Sequence, residues 1–170
     1  TYEVEYDRHT YDGTNWKYLN LPMNEIAKLA IASLKDGRKM DSSYDVGKQL
    51  DRQRGYLALD NFDYESLFST TFGMNKADRI ATFDSGSTHA MTLTAVDLDK
   101  DGNPLKWKVE NSWGASNGVG GCFIMTNEWF NEYMFRLVVN NEYVPAELLK
   151  EYEQKPLMVM PEDPLFGEDM

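Results

Sequence analysis

The chain has 170 residues, 42% hydrophobic and 13% aromatic, with a formal net charge of -11. That apolar content suffices for the core of one ordinary domain and excludes wholesale disorder. The acidic balance repels phosphate, which argues against nucleic acid and an anionic membrane surface as partners, and no apolar run approaches the roughly 20 residues that span a bilayer.

In chain order, the polar and aromatic residues 1–20 carry a turn signal at Asp12-Gly13 and read as a loop or hairpin. Thr1-Tyr2-Glu3 has no signal-peptide character. A helix is predicted next: Pro22 suits its first turn, Ile26, Leu29, Ala30, Ser33 and Leu34 recur at helical spacing, and Gly37 is a natural stop. Short helices are expected over 45–53 and 62–68, and Asn75 is placed to cap another over Lys76–Thr82.

The second half reads as antiparallel sheet. His89–Val96 is rich in Thr and apolar residues, and 97–104 is a turn cluster. In Leu105–Glu110, Leu105, Trp107 and Val109 fall on one face and Lys106, Lys108 and Glu110 on the other. The glycine-rich loop Gly114–Gly121 precedes a strand at Cys122–Met125. Thr126 caps a short helix through Tyr133, Arg136–Asn140 is a further strand, Pro145–Glu153 a helix, and the Pro-rich tail is extended.

There are two histidines. His9 lies among Asp7, Arg8, Thr10 and Tyr11 and reads as a surface residue. His89 opens one strand, and Asn111 closes the next, so a hairpin makes them neighbours. An Asn oxygen that accepts from one imidazole nitrogen aims the other nitrogen at a third group, which is the base-plus-orienter half of a Cys-His-Asn arrangement. Trp113, two residues on, would shield that bond. Taken without any resemblance, the same residues also read as a satisfied His–Asn pair in a structural hairpin.

The segment Thr88-His89-Ala90-Met91, followed by Lys106-Trp107-Lys108-Val109-Glu110-Asn111-Ser112-Trp113-Gly114, resembles the His and Asn signatures of papain-like cysteine peptidases. Within that group the chain is most similar to the bleomycin hydrolase and aminopeptidase C family. Val4-Glu5-Tyr6-Asp7-Arg8, Asp45-Val46-Gly47-Lys48, Phe62-Asp63-Tyr64-Glu65, Met74-Asn75-Lys76-Ala77 and Met125-Thr126-Asn127-Glu128-Trp129-Phe130 carry the likeness along nearly the whole chain. The resemblance implies an α+β, papain-like fold of which residues 1–160 form the C-terminal, sheet-bearing half. It implies hydrolysis of peptide substrates without a cofactor or metal, with His89 as general base, Asn111 orienting it and Trp113 shielding the pair. It also implies that the tail, residues 161–170, runs into the cleft, with Met170 at the substrate's N-terminal end, and that a homo-hexamer forms.

One departure is decisive for chemistry. Papain-like enzymes place the nucleophilic Cys roughly 130 residues or more before the His; here 88 residues precede His89, and none is Cys. The single cysteine, Cys122, follows both His89 and Asn111 and reads as a structural thiol. It excludes an internal disulfide and favours a reducing cytoplasm. Ser85, Ser87 and Thr88 lie near His89 without a nucleophile elbow. Asp97-Leu98-Asp99-Lys100-Asp101-Gly102 imitates a calcium loop, but its twelfth position is Lys108, so a polar turn explains it better. Two readings follow: the sheet half of a cysteine aminopeptidase whose Cys-bearing half is a separate segment or chain, or a non-catalytic binding or scaffold protein that kept the papain-like fold.

Overall fold

A computed structural model of the chain describes residues 1–166. In chain order its elements are β1 (Tyr2–Val4), β2 (Lys17–Tyr18), α1 (Met23–Lys35), β3 (Met40–Tyr44), β4 (Leu50–Asp51), β5 (Tyr56–Leu57), α2 (Tyr64–Phe68), α3 (Lys76–Ala81), β6 (His89–Leu98), β7 (Pro104–Glu110), β8 (Cys122–Thr126), α4 (Asn127–Tyr133), β9 (Met134–Leu137), α5 (Ala146–Glu153) and β10 (Leu157–Val159). Seven strands form one sheet in the order β4-β5-β8-β7-β6-β3-β9, and β10-β1-β2 form a small second one. The class is α+β, as expected.

The core face of the large sheet follows from strand parity. The register aligns Met40, Leu93, Val109 and Phe123 in one row across β3, β6, β7 and β8, and all four are buried. A second row joins Trp107 to Met125 of β8, whose partner on β5 is Leu57. The α4 residues Trp129 and Phe130 close over this face, with Phe130 stacked on Trp107 at 4.5 Å between centroids. Both buried indoles keep a hydrogen bond, Trp129 Nε1 to the Lys48 carbonyl at 2.8 Å and Trp107 Nε1 to Asn127 Oδ1 at 3.1 Å.

Helix α1 buries its small residues Ala27, Ala30 and Ser33, so its backbone approaches the sheet closely. It ends in a Schellman motif: Arg38 N–H donates to the Ser33 carbonyl and Gly37 N–H to that of Leu34, both at 3.0 Å, with Gly37 at φ 75°. A side chain there would be strained, which explains the glycine.

Several expectations need correction. Residues 45–53 are not helical; they form turns leading into β4. The strand expected at Arg136–Asn140 is β9, four residues that begin earlier at Met134. Strand β3 lies between β6 and β9 near one edge of the sheet, yet Met-Asp-Ser-Ser-Tyr shows no alternation of polar and apolar residues because Ser42 and Ser43 are buried too. Ser42 donates to the Met91 carbonyl at 3.0 Å and accepts from the Tyr44 hydroxyl at 2.8 Å, which satisfies both buried hydroxyls. Leu105 does not join Trp107 and Val109 in the core; it lies exposed beside the hairpin turn, where the ladder shifts register and gives it no partner on β6.

Candidate active site

The core face ends in polar residues. His89 is two positions before the buried Met91 on β6, and Asn111 two positions after the buried Val109 of β7, so parity points both toward the same face. The ladder pairs Thr92 with Glu110, so His89 and Asn111 are not directly opposed; His89 pairs instead with Tyr44 of β3. The two side chains meet diagonally, a reach that long side chains allow. His89 Nε2 lies 2.8 Å from Asn111 Oδ1. The Ser112 backbone N–H also donates to Oδ1, at 2.7 Å. An N–H can only donate to oxygen here, which fixes the amide orientation and makes His89 Nε2 the protonated nitrogen. Nδ1 is then left as the basic nitrogen of the neutral ring.

The Trp113 indole covers this pair, with its ring 4.8 Å from the imidazole and inclined by 30°. Phe123 meets the indole edge-on at 5.7 Å, and the Arg52 guanidinium lies 4.6 Å from its centroid. His89 and Trp113 are each half-buried. His89, Ser43 and Ser87 line part of a cavity of about 780 Å³ that Tyr18, Arg136 and the tail residues Leu165 and Phe166 also border. Phe166 packs on Tyr18 at 4.9 Å. Met170 lies outside the described residues.

Among the other sequence candidates, His9, Ser87 and Thr88 border the same cavity as His89. Cys122 pairs with Glu110 in the ladder and shares its face, opposite to that of Val109 and Asn111. Its thiol therefore points away from His89. His9 packs edge-on against Trp16 at 5.1 Å. Asp99 accepts from the backbone of Asp101 and Asn103, so the 97–104 cluster is an Asx-type turn. No group of His, Cys, Asp and Glu among the described residues could hold a metal ion. Ser85 is buried and donates to Asp45 Oδ2 at 2.8 Å. Sequence reasoning missed Arg52 and Phe123 as neighbours of Trp113.

A family model described as the Peptidase C1-like family matches residues 1–166. The chain belongs to that family. Among curated relatives it is 41% identical over 165 residues to aminopeptidase C of Lactococcus lactis subsp. lactis (97% of this chain, 38% of the relative). It is 40% identical to human bleomycin hydrolase over 167 residues (96% and 37%). The crystal structure of PepW from Lactobacillus rhamnosis HN001 superposes with a TM-score of 0.90 at 41% identity, covering 96% of this chain and 37% of that one. The chain thus spans a little over a third of the length of these relatives. No helix among the described residues is long and apolar enough to cross a membrane.

Proposed function

We propose that this chain is the C-terminal part of a cysteine aminopeptidase, with His89 as general base and Asn111 as its orienter. The observation that carries the reading is the 2.8 Å contact between His89 Nε2 and Asn111 Oδ1 beneath Trp113. That bond holds the imidazole with Nδ1 free to face a nucleophile, and a half-buried setting strengthens it relative to water. The nucleophile comes from polypeptide outside this chain, because the one cysteine here points to the other face of the sheet. In the reaction, a cysteine thiol transfers its proton to His89 Nδ1, and the thiolate attacks the substrate carbonyl carbon. The peptide C–N bond breaks, His89 returns the proton to the leaving amine, and water then hydrolyses the thioester with His89 as base. The tail residues Leu165 and Phe166 border the same cavity as His89, which supports a role for the tail in limiting substrates to short N-terminal ends.

The test is complementation. The purified chain alone is expected to show no hydrolysis of aminoacyl fluorogenic substrates. Co-expression with the part of Lactococcus lactis aminopeptidase C that this chain does not span is expected to restore it, and His89→Ala to abolish it. Activity of the isolated chain that survives His89→Ala would overturn the assignment. A complex that forms but stays inactive would favour the non-catalytic scaffold.

A further inference from the structure

The Trp113 indole stands on a loop with little regular structure to hold it. Residues 112–121 contain four glycines, and Gly114, Gly118, Gly120 and Gly121 all have positive φ. Such a loop does not by itself fix a large side chain over a neighbouring hydrogen bond. What grips it comes from far away in sequence, the turn Asp51-Arg52-Gln53-Arg54-Gly55 between β4 and β5. Arg52 places its guanidinium 4.6 Å from the indole centroid. Its Nε donates to Asn117 Oδ1 at 2.9 Å, and Asn117 Nδ2 donates to the Trp113 carbonyl at 2.6 Å. The Arg52 carbonyl accepts from Gly118 N–H at 3.3 Å. One arginine therefore holds both the ring and, through Asn117, the backbone of the same tryptophan.

The two segments are built to touch. A Cβ on Gly55 would lie 2.6 Å from the Gly118 Cα, and one on Gly118 would lie 2.4 Å from the Cys122 carbonyl oxygen and from the Phe123 ring. Glycine at 55 lets the turn seat against the loop, and glycine at 118 lets the loop fold back on β8 where the turn meets it. Arg52 makes no ion pair among the described residues, whereas Arg54 pairs with Asp51. Its cation is spent on the indole and its Nε on Asn117.

We infer that Arg52 is a positioning residue for the His89–Asn111 pair, acting by clamping Trp113 over their hydrogen bond. The inference rests on the proposed function for its meaning in catalysis, but its physical content is a property of this chain alone. Removing the clamp leaves Trp113 held mainly by Phe123, and water reaches the His89 Nε2–H more often.

The measurement is solvent exchange of the His89 Nε2 proton, followed by NMR on the full 170-residue chain. Arg52→Met keeps a long apolar stem and removes the cation and the Nε donor. It is expected to speed exchange about fivefold, consistent with an exposed cation–π contact and one neutral hydrogen bond. Arg52→Lys retains a cation and is expected to recover part of the protection. Arg54→Met, in the same turn but away from Trp113, is expected to leave exchange unchanged, which separates clamping from a general loosening of the turn. Equal exchange in Arg52→Met and the unsubstituted chain would overturn the inference and leave the functional reading intact. Equal acceleration in Arg54→Met would overturn it too. A chain with no protected His89 Nε2 proton before substitution would overturn both.

Discussion

Strand β7 and the segment 62–75 are both rich in large apolar side chains, and the fold treats them in opposite ways. Trp107 and Val109 are 1% and 0% exposed, whereas Leu67, Phe68 and Phe72 are 70%, 64% and 61% exposed. All residues from 62 to 75 are exposed, and neither α2 nor α3 has a buried residue. The segment nonetheless has local order. Asp63 caps α2, Asn75 and Asp78 form a capping box at α3, and Phe62, Tyr64 and Phe68 run as a ladder of rings. Its ends are tied down: Gln49 exchanges two hydrogen bonds with the Phe62 backbone, and Lys76 donates to the Asn131 and Met134 carbonyls. The lesson is that an apolar residue becomes core only if another element faces it. The partners of β7 lie on β6, β8 and α4, while 62–75 is a tethered arm whose apolar side no other described residue covers.

The comparison can be broken at its strongest point. Trp129→Ala removes a fully buried indole from over the core face and its bond to Lys48. It is expected to cost about 3–5 kcal/mol, read as a lowered urea midpoint. A loss below about 1 kcal/mol would mean that α4 does not close the core as described.

The tether of the arm is open to a pH test. Desolvation lowers the Lys76 pKa from 10.5 to about 8, with Glu132 opposing and Arg79 adding to the shift. A lysine with a depressed pKa in the folded state is destabilising while it must stay charged. As pH rises from about 8 to 10.5, the unfolded chain holds the proton that the folded one has released, so stability is expected to rise, by at most about 3 kcal/mol. Tyr18 acts in the opposite sense further on. Its pKa is pushed up to about 12, chiefly by burial and then by its bond to Asp7, so its contribution is lost between about pH 10 and 12. Stability is therefore expected to peak near pH 10, and Lys76→Met to flatten the rise below the peak. A falling curve between pH 8 and 10 in the unsubstituted chain would contradict the desolvated, half-buried setting of Lys76.

The smallest effect belongs to the arm's surface. Leu67→Ser and Phe68→Ser are expected to change the stability of this chain by no more than about 0.5 kcal/mol, while reducing its binding of a hydrophobic dye. A large destabilisation would show that the arm packs on the body and that the contrast with β7 is false.

Much of this was legible in the residues. The periodicity of 22–36 gave α1, Asn75 gave the cap of α3, and Thr126 gave the start of α4. Alternation around Trp107 and Val109 put Asn111 on the core side of its strand. The cross-strand geometry was only partly right, since the ladder sets His89 beside Tyr44 and leaves Asn111 to reach it diagonally. Strand β3 stayed hidden because buried serines erased its pattern, and 45–53 was misread because Leu50 and Asp51 are too short a strand to leave a period.

By itself, then, the sequence determined the core face of β7 at Trp107 and Val109, the caps of α3 and α4 and the pairing of chemistry between His89 and Asn111. These depend on backbone parity and on bonds that span a few residues. Tertiary structure alone decided that Phe68 faces outward, that Cys122 points away from His89, and that Arg52 reaches the loop carrying Trp113 and Asn117, 65 residues beyond it. Contacts of that range depend on how strands are ordered in the sheet, and no local spacing encodes that order.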